Sequence, residues 1–480
     1  MSSFGHGFPS NRPRSFAATV IAVVLAAAHP QLTPATPFGS EGPGAQPHAR
    51  RPDVIVLLTD QQRGDAFGAA GAGDLRTPAM DRLAREGVMF TRAFAATPQC
   101  SPSRAALLTG RHPHRTGVMG NTAERGQPAG MSGPLDRSVP TLGRVFAAAG
   151  YETSYFGKWH LGGTPGEYGF EVHDARMDDA TLAWRAIEFV RKRATSGTRR
   201  PLLLIVSWLN PHDIYGVLAA APPDARALRA ARLPSNLRDD LRQKPFPQRH
   251  FLEEDQGKPF VGADRDVWRR YRAFYNQLVE AVDQEIGTVL DALERRKVSS
   301  ITVFSSDHGD LGGAHGLPYK GPAMYEELVR VPLVIRWPGR IAAAKSDALV
   351  SLIDLLPTLC DIAGVPAPEG MNGLSLRGIL EGNARNVREM VFAEYYGKQA
   401  WRVPIRMVRA ARWKYVRYLT DGEELYDLEA DPGELQNLAR SPAAASERAR
   451  LAHELDEWIR RTSDPFFRLT TTDRSGRVRP

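Results

Sequence analysis

The sequence predicts an α/β sandwich followed by a smaller antiparallel sheet, and three observations carry that expectation. Short, continuous apolar runs read as strands buried on both faces, as parallel strands are. A long amphipathic stripe marks a helix before one of these runs. Beyond about Gly370 the pattern changes to short strands in close succession, ending in a helix.

Residues 54–58 form the first apolar run, followed by a weaker one at 151–156 and further runs at 202–206 and 301–304. Ahead of the last, Val267, Tyr271, Phe274, Leu278, Val282, Ile286, Val289 and Leu293 recur every three or four residues and give one apolar stripe. Strands alternating with helices imply helices packed on a sheet. Residues 217–262 are polar and Pro-rich and read as a long loop or insertion. Residues 390–395, 406–410 and 414–418 read as strands. Residues 423–428 add a fourth, closed by the turn at Asp431-Pro432, and 443–460 read as a helix. The expected division is a main domain over 51–370, a sheet-plus-helix subdomain over 371–465 and a tail over 466–480. No internal repeat is present.

At the N-terminus, Arg12 and Arg14 precede an apolar run over 16–28 that ends Ala26-Ala27-Ala28. A basic segment, a short apolar one and small residues describe a cleavable secretory signal, so residues 1–28 are expected to be removed and the protein exported, periplasmic or secreted. Residues 29–50, rich in Pro, Gly and Ala, read as a flexible leader. The apolar run is short of the ~20 residues that span a bilayer, and no stable membrane anchor is expected. The formal charge of +8 would suit a polyanion, or a generally Arg-rich surface. No dense basic block with interleaved aromatics is present, which argues against nucleic acid. Cys100 and Cys360 are the only cysteines, and an exported chain could join them in a disulfide.

Each apolar run ends in polar residues of a catalytic kind. The first run leads into Asp60-Gln61, the second into Gly157-Lys158-Trp159-His160, the third to Asn210-Pro211-His212 and the fourth to Asp307-His308. In open α/β sheets ligands bind outside the carboxyl ends of the strands, so four strand ends deliver carboxylates, histidines and a lysine to one region. Cys100-Ser101-Pro102-Ser103-Arg104 then runs into Ala105-Ala106-Leu107-Leu108-Thr109-Gly110-Arg111. Ser101 can cap a helix, Pro102 suits its first position and Gly110 its end. Cys100 would thus sit just before a helix N-terminus, where an anion is favoured and a thiol pKa falls.

The Cys-x-Pro-Ser-Arg pentad with Leu-Leu-Thr-Gly-Arg resembles the signature of the formylglycine-dependent sulfatases. Gly150-Tyr151-x-Thr153 through Gly157-Lys158-Trp159-His160-Leu161-Gly162 resembles the family's second signature. The resemblance continues through Asn210-Pro211-His212, Ser306-Asp307-His308-Gly309, Lys320-Gly321-Pro322, Tyr325-Glu326-Glu327, Arg330-Val331-Pro332 and Leu425-Tyr426-Asp427-Leu428. It implies a large mixed-sheet α/β domain of the alkaline phosphatase type with a smaller C-terminal antiparallel sheet. It also implies hydrolysis of sulfate monoesters, either of a small molecule or of a sulfated glycan. The glycan is the first expectation, because exported enzymes meet polysaccharides; the resemblance implies that loops build the pocket for the alcohol half, here 217–262 and the C-terminal strands around Tyr395 to Arg402.

By the same resemblance, Cys100 would be oxidised to formylglycine by a formylglycine-generating enzyme and hydrated to a geminal diol that attacks sulfur. Arg104 would hold the diol and the metal-site carboxylates. Lys158 and Lys320 would neutralise sulfate oxygens. His160 resembles the base that regenerates the aldehyde, and His212 the acid that protonates the leaving alcohol. Asp60, Gln61, Asp307 and His308, with the residue at Cys100, would hold one divalent cation, and Arg111 would support that shell. His112 and His114 read as structural. Many family members carry Asp-Asp and Asp-Asn at the metal positions, a set suited to Ca2+. Here Asp60-Gln61 and Asp307-His308 carry less negative charge, and an imidazole suits Mn2+ or another first-row ion; Ca2+ stays the family default. The same quartet resembles that of formylglycine-dependent phosphonate monoester and phosphodiester hydrolases. Lys158, His160 and Ser103 favour the sulfatase branch. A non-enzymatic alternative is an exported binder of sulfated glycans with unmodified Cys100, against which stands the retention of every polar site type.

Overall fold

Continuous apolar runs pair into a sheet because each finds a core on both of its faces. This is what the computed structural model of the chain, describing residues 51–122, 132–295, 300–398 and 400–479, displays. The expected signal and leader, residues 1–50, lie outside the described residues. The strands of the large sheet are β1 (Asp53–Asp60), β2 (Val88–Phe94), β3 (Glu152–Gly157), β4 (Val172–Asp174), β5 (Leu202–Pro211), β6 (Ser300–Ser306), β7 (Arg330–Val331), β8 (Leu333–Arg336) and β9 (Ala344–Ser351). They lie in the order β4-β3-β5-β1-β6-β8-β2-β7, with β9 paired to β2. The five from β4 to β6 are parallel. β8 runs antiparallel to β6 and β2, which makes the sheet mixed.

Along β1, Val54, Val56 and Leu58 enter one core, shared with Ala105, Leu107 and Leu108 of the Cys100–Thr109 helix. Ile55 and Leu57 enter the other, shared with Tyr271, Tyr275, Val282 and Ile286 of the Arg265–Glu294 helix. The amphipathic stripe is thus the inner face of a thirty-residue helix. Register brings the strand ends level: Leu58 pairs with both Ser207 and Ser305, Thr59 with Ser306, and Gly157 with Ser207. Gly157 adopts φ 94°, and a Cβ there would lie 2.0 Å from the Ser207 carbonyl oxygen, so only glycine lets β3 turn so closely over β5.

The second sheet, β10 (Val391–Lys398), β11 (Trp401–Arg409), β12 (Trp413–Tyr418) and β13 (Gly422–Asp427), is a four-stranded antiparallel meander. One face joins Phe94, Leu311 and Tyr325 of the large domain in a common core, and the other packs on Leu451, Leu455 and Trp458 of the Ala445–Thr462 helix. The segment 217–262, expected as a loop, instead contains the Ala225–Ala230 and Phe246–Glu254 helices. Buried Gln248 explains the ordering: it donates to Tyr418 Oη (2.9 Å) and Glu424 (2.9 Å) of the small sheet and accepts from Tyr325 Oη (2.6 Å). Among the described residues no helix is long and apolar enough to cross a membrane.

Candidate active site

At the level edge of β1, β3, β5 and β6, a buried ionic cluster forms around Arg104. Its guanidinium donates through Nε to Asp307 Oδ2, through Nη2 to Asp60 Oδ2, and through Nη1 to the Lys158 carbonyl and Ser207 Oγ, each at 2.8 Å. Arg104 is 1% exposed and both carboxylates 0%, so one cation holds two acids out of water. Lys158 Nζ adds a second contact to Asp60 Oδ2 at 2.8 Å. The outcome is asymmetric: burial opposes ionisation, but Lys158 and Arg104 hold Asp60 well below the ordinary carboxylate range. Burial and the neighbouring charge of Asp60 push Asp307 up to about 6.

Cys100 stands over this cluster. The helix begins at Cys100, with Gln99 extended at the cap position, so the thiol belongs to the first turn and not to the residue before it. Ser101 is no cap: its Oγ accepts from Thr122 N (3.1 Å), while Asn121 Oδ1 accepts from Ser101 N (3.1 Å). Gly110 closes the helix in the left-handed conformation, as expected. Cys100 Sγ lies 3.0 Å from Lys320 Nζ, 3.8 Å from Lys158 Nζ, 3.3 Å from His308 Nε2 and 3.7 Å from Asp60 Oδ1. Burial and Asp60 resist a thiolate, but the two lysines and His308 hold Cys100 well below the usual thiol range. Cys360 is the contrast: buried in an apolar core, its thiol is pushed up to about 12. Both cysteines are free, which removes the disulfide alternative.

The residues present fit a cation. One ligand atom each of Asp60, Cys100, Asp307 and His308 lies within 4.8 Å of the others, all buried. His308 Nδ1 faces the Gly309 carbonyl oxygen at 2.8 Å, so that nitrogen carries the hydrogen and Nε2 turns its lone pair toward the cluster. Burial and Lys320 disfavour charge on this imidazole, yet Asp307 and Cys100 outweigh them and raise it above its ordinary range. A place that draws a proton onto His308 would also draw a metal cation. Gln61 completes the set in a left-handed conformation (φ 70°). Its Oε1 accepts from Lys320 Nζ (2.8 Å) and its Nε2 donates to Asp310 Oδ2 (2.8 Å).

The structure thus brings together Asp60, Gln61, Cys100, Arg104, Lys158, Asp307, His308 and Lys320. His212 comes directly after β5 and lines the cavity that opens above them; burial and the charges of Lys158 and Lys320 lower its imidazole to about 4. His160 sits in a left-handed turn after β3, its carbonyl accepting from Thr122 Oγ1 (3.1 Å), which ties that turn to the start of the Cys100 helix. Arg111 is corrected: it lies one helix length away, roughly 15 Å along the axis from Cys100, and its guanidinium donates to the Glu369 carbonyl (3.2 Å). His112 and His114 stack near Trp458, and His114 Nδ1 meets Glu394 Oε1 at 2.7 Å, remote from the Cys100 cluster in their bonding.

Sequence reasoning missed Asp310, which accepts from Gln61, Tyr271 Oη (3.0 Å) and Gly312 N (2.7 Å) and so orients Gln61. Its place three residues after Asp307 was the available signal. The cavity above the cluster, about 210 Å³, is lined by His212, Tyr215, Gln256, Lys320, Tyr395 and Lys398 among others; Gln256, Tyr395 and Lys398 fall in the two segments, 217–262 and the strands around Tyr395 to Arg402, expected to build the alcohol pocket.

Comparison with known proteins adds a second line. Residues 52–365 match the family model described as Sulfatase, and residues 313–461 the one described as N-sulphoglucosamine sulphohydrolase, C-terminal. The chain is 30% identical to a Δ4,5-hexuronate-2-O-sulfatase of Bacteroides thetaiotaomicron, across 87% of this chain and 91% of that one. It is 29% identical to a choline-sulfatase of Rhizobium meliloti, across 84% and 85%. A solved 2-O GAG sulfatase structure superposes with a TM-score of 0.80 at 30% identity, covering 88% of this chain and 95% of that one.

Proposed function

Because the chain belongs to the sulfatase family and is a sulfuric ester hydrolase, we propose that it cleaves sulfate monoesters of carbohydrates through Cys100 matured to formylglycine. The single observation that carries this reading is the setting of Cys100 Sγ. It lies at a helix N-terminus, 3.0 Å and 3.8 Å from two buried ammonium groups and beside an acid and an imidazole. That environment suits an anionic tetrahedral group at this point more than it suits a structural thiol.

In this reading a maturation enzyme, using an external oxidant, removes two electrons at the Cys100 Cβ so that the sulfur leaves as sulfide and an aldehyde remains, which adds water to give a diol. One diol oxygen forms a bond to sulfur as the bond from sulfur to the alcohol oxygen breaks. Burial and its carboxylate neighbour act against each other at Lys158 and the carboxylate wins, keeping it charged; burial is likewise outweighed at Lys320 by Cys100 and Asp60. Both lysines meet the negative charge that builds on the sulfate oxygens. Burial, with the charges of Lys158 and Lys320, disfavours a proton on His212; a sulfate ester between the lysines offsets those two charges and so favours the proton that His212 gives to the leaving alcohol. His160 takes the proton of the second hydroxyl as the carbon–sulfate bond breaks and the aldehyde returns. Asp60, Gln61, Asp307 and His308 would hold one divalent cation, which when bound supplies further positive charge to anionic oxygen.

Tyr215 and Tyr395 line the cavity on the alcohol side, and aromatic faces there suit a sugar ring. The cavity is smaller than the ~300–1,000 Å³ of sites for drug-sized ligands, which favours a single sugar ring. Relatives acting on a hexuronate and a GAG support the glycan class.

The test is a peptide mass across Cys100 in protein produced with a formylglycine-generating enzyme, alongside turnover of a sulfated saccharide panel and an aryl sulfate. The aldehyde or its hydrate is expected, with turnover lost in Cys100→Ala. Turnover within tenfold of wild type in Cys100→Ala would overturn the mechanism.

A further inference from the structure

Two lysines line the cavity, and only Lys320 engages the Cys100 cluster. Lys320 Nζ at the floor is engaged by Cys100, Gln61 and His308. Lys398, at the last position of β10, lines the same cavity. Lys320 Nζ lies 5.8 Å and Lys398 Nζ 5.9 Å from the centroid of the same Tyr215 ring, so both ammonium groups address the space in which the alcohol half of a substrate would sit.

Lys398 is poorly neutralised. Its Nζ donates to the neutral Gln256 Oε1. The carboxylate that faces it, Asp255, is engaged by Arg474 at 3.2 Å, and among the described residues no acid forms an ion pair with Lys398. Burial, with the positive charges of Lys320 and Arg474, lowers its ammonium to about 8 against the pull of Asp255 and Cys100. A partly buried cation held by one amide costs free energy unless a ligand supplies the counter-charge.

We propose that Lys398, oriented by Gln256, binds a second anionic oxygen group on the alcohol half, so that the preferred substrate is a sulfate ester of a sugar that also carries a carboxylate or a second sulfate. This rests on the sulfatase reading above and narrows it. A cationic alcohol such as choline would meet Lys398 as a like charge, which separates this chain from a choline-sulfatase despite 29% identity.

The test compares kcat/KM for matched sulfate esters using matured, metal-loaded protein. One pair is an unsaturated hexuronate 2-O-sulfate and its methyl ester. The other is glucosamine 2-N,6-O-disulfate and N-acetylglucosamine 6-O-sulfate. Choline sulfate and 4-nitrophenyl sulfate complete the set. Wild type should prefer the more anionic member of at least one pair by ~10–100-fold, the range of a charge-assisted hydrogen bond. The pair that responds identifies carboxylate or sulfate as the second group. Lys398→Met should collapse that ratio toward one, and Lys398→Arg should keep most of it. The ratio is internal to each preparation, so partial loss of folded enzyme does not mimic the effect. Equal use of both members by wild type, a ratio unchanged in Lys398→Met, or choline sulfate as the best ester would overturn the inference. If 4-nitrophenyl sulfate and every sulfated sugar resist the matured wild type, the sulfatase reading itself falls.

Discussion

Replacing Arg104 with methionine removes the cation that the ionic cluster is built on. Four hydrogen bonds of 2.8 Å are lost at a side chain 1% exposed, two of them to carboxylates that are 0% exposed. Breaking a buried ion pair from one side costs ~3–5 kcal/mol, because the remaining charge stays buried. Asp60 retains Lys158 at 2.8 Å, so Asp307 bears most of the loss. Asp307 keeps the backbone N–H groups of Gln61 (3.1 Å) and His308 (2.9 Å) on its other oxygen. With these partial compensations the expected loss is near the lower bound, ~3 kcal/mol. Arg104→Lys should fall between, since an ammonium can reach one carboxylate but not span both. Urea unfolding of chelated wild type and variants, compared at matched slope, reads the difference directly. A loss below ~1 kcal/mol in Arg104→Met, the value of an exposed pair, would refute the assignment of Arg104 as the shared counter-ion.

The same cluster carries two more expected outcomes. Lys158→Ala and Lys320→Ala should each cost ~2–4 kcal/mol in kcat/KM, equally for sulfate esters of different alcohols; a loss confined to one alcohol would move that lysine to the alcohol pocket. His308 directs a nitrogen lone pair into the candidate metal site, so chelated and reconstituted wild type should accept Mn2+ at least as well as Ca2+, and His308→Asn should shift the preference toward Ca2+. Metal analysis with activity decides it: restoration by Ca2+ alone in both proteins would show that the imidazole does not select the ion.

The central sheet is readable in the sequence because β1, β5 and β6 are buried along their length and carry unbroken apolar runs. β9 is hidden because its first half is polar and largely exposed, and β7 and β8 because they are two and four residues long. The 217–262 segment looks like a loop since its ordering comes from polar contacts, chiefly Gln248 reaching the small sheet, and polar contacts leave no periodicity. Around the site, residues that end a strand or directly succeed one, such as Asp60 and Asp307, can be placed from sequence. Lys398 and Gln256 lie in the two segments expected to build the alcohol pocket, but cannot be singled out within them, since they reach the cavity from a different sheet and a different helix-rich segment. Arg111 is misplaced by sequence because adjacency to a motif says nothing about the end of a helix.

β10 does more than close the small sheet. Its Glu394 N–H bonds the carbonyl of Ala96, four residues ahead of Cys100, at 2.8 Å, and the end of the strand presents Tyr395 and Lys398 to the cavity. The groups that would handle sulfate all precede residue 321, whereas Tyr395 and Lys398 on the alcohol side lie beyond residue 390, apart in sequence from Tyr215 and Gln256, which line the same cavity. Inheritance of reaction and inheritance of taste are therefore separable only in part along the chain. A recombination crossover just before Val391 would exchange the part of the preference carried by Tyr395 and Lys398 and keep Tyr215, Gln256 and the reaction centre, provided the incoming strands carry an apolar face shaped for Phe94, Leu311 and Tyr325.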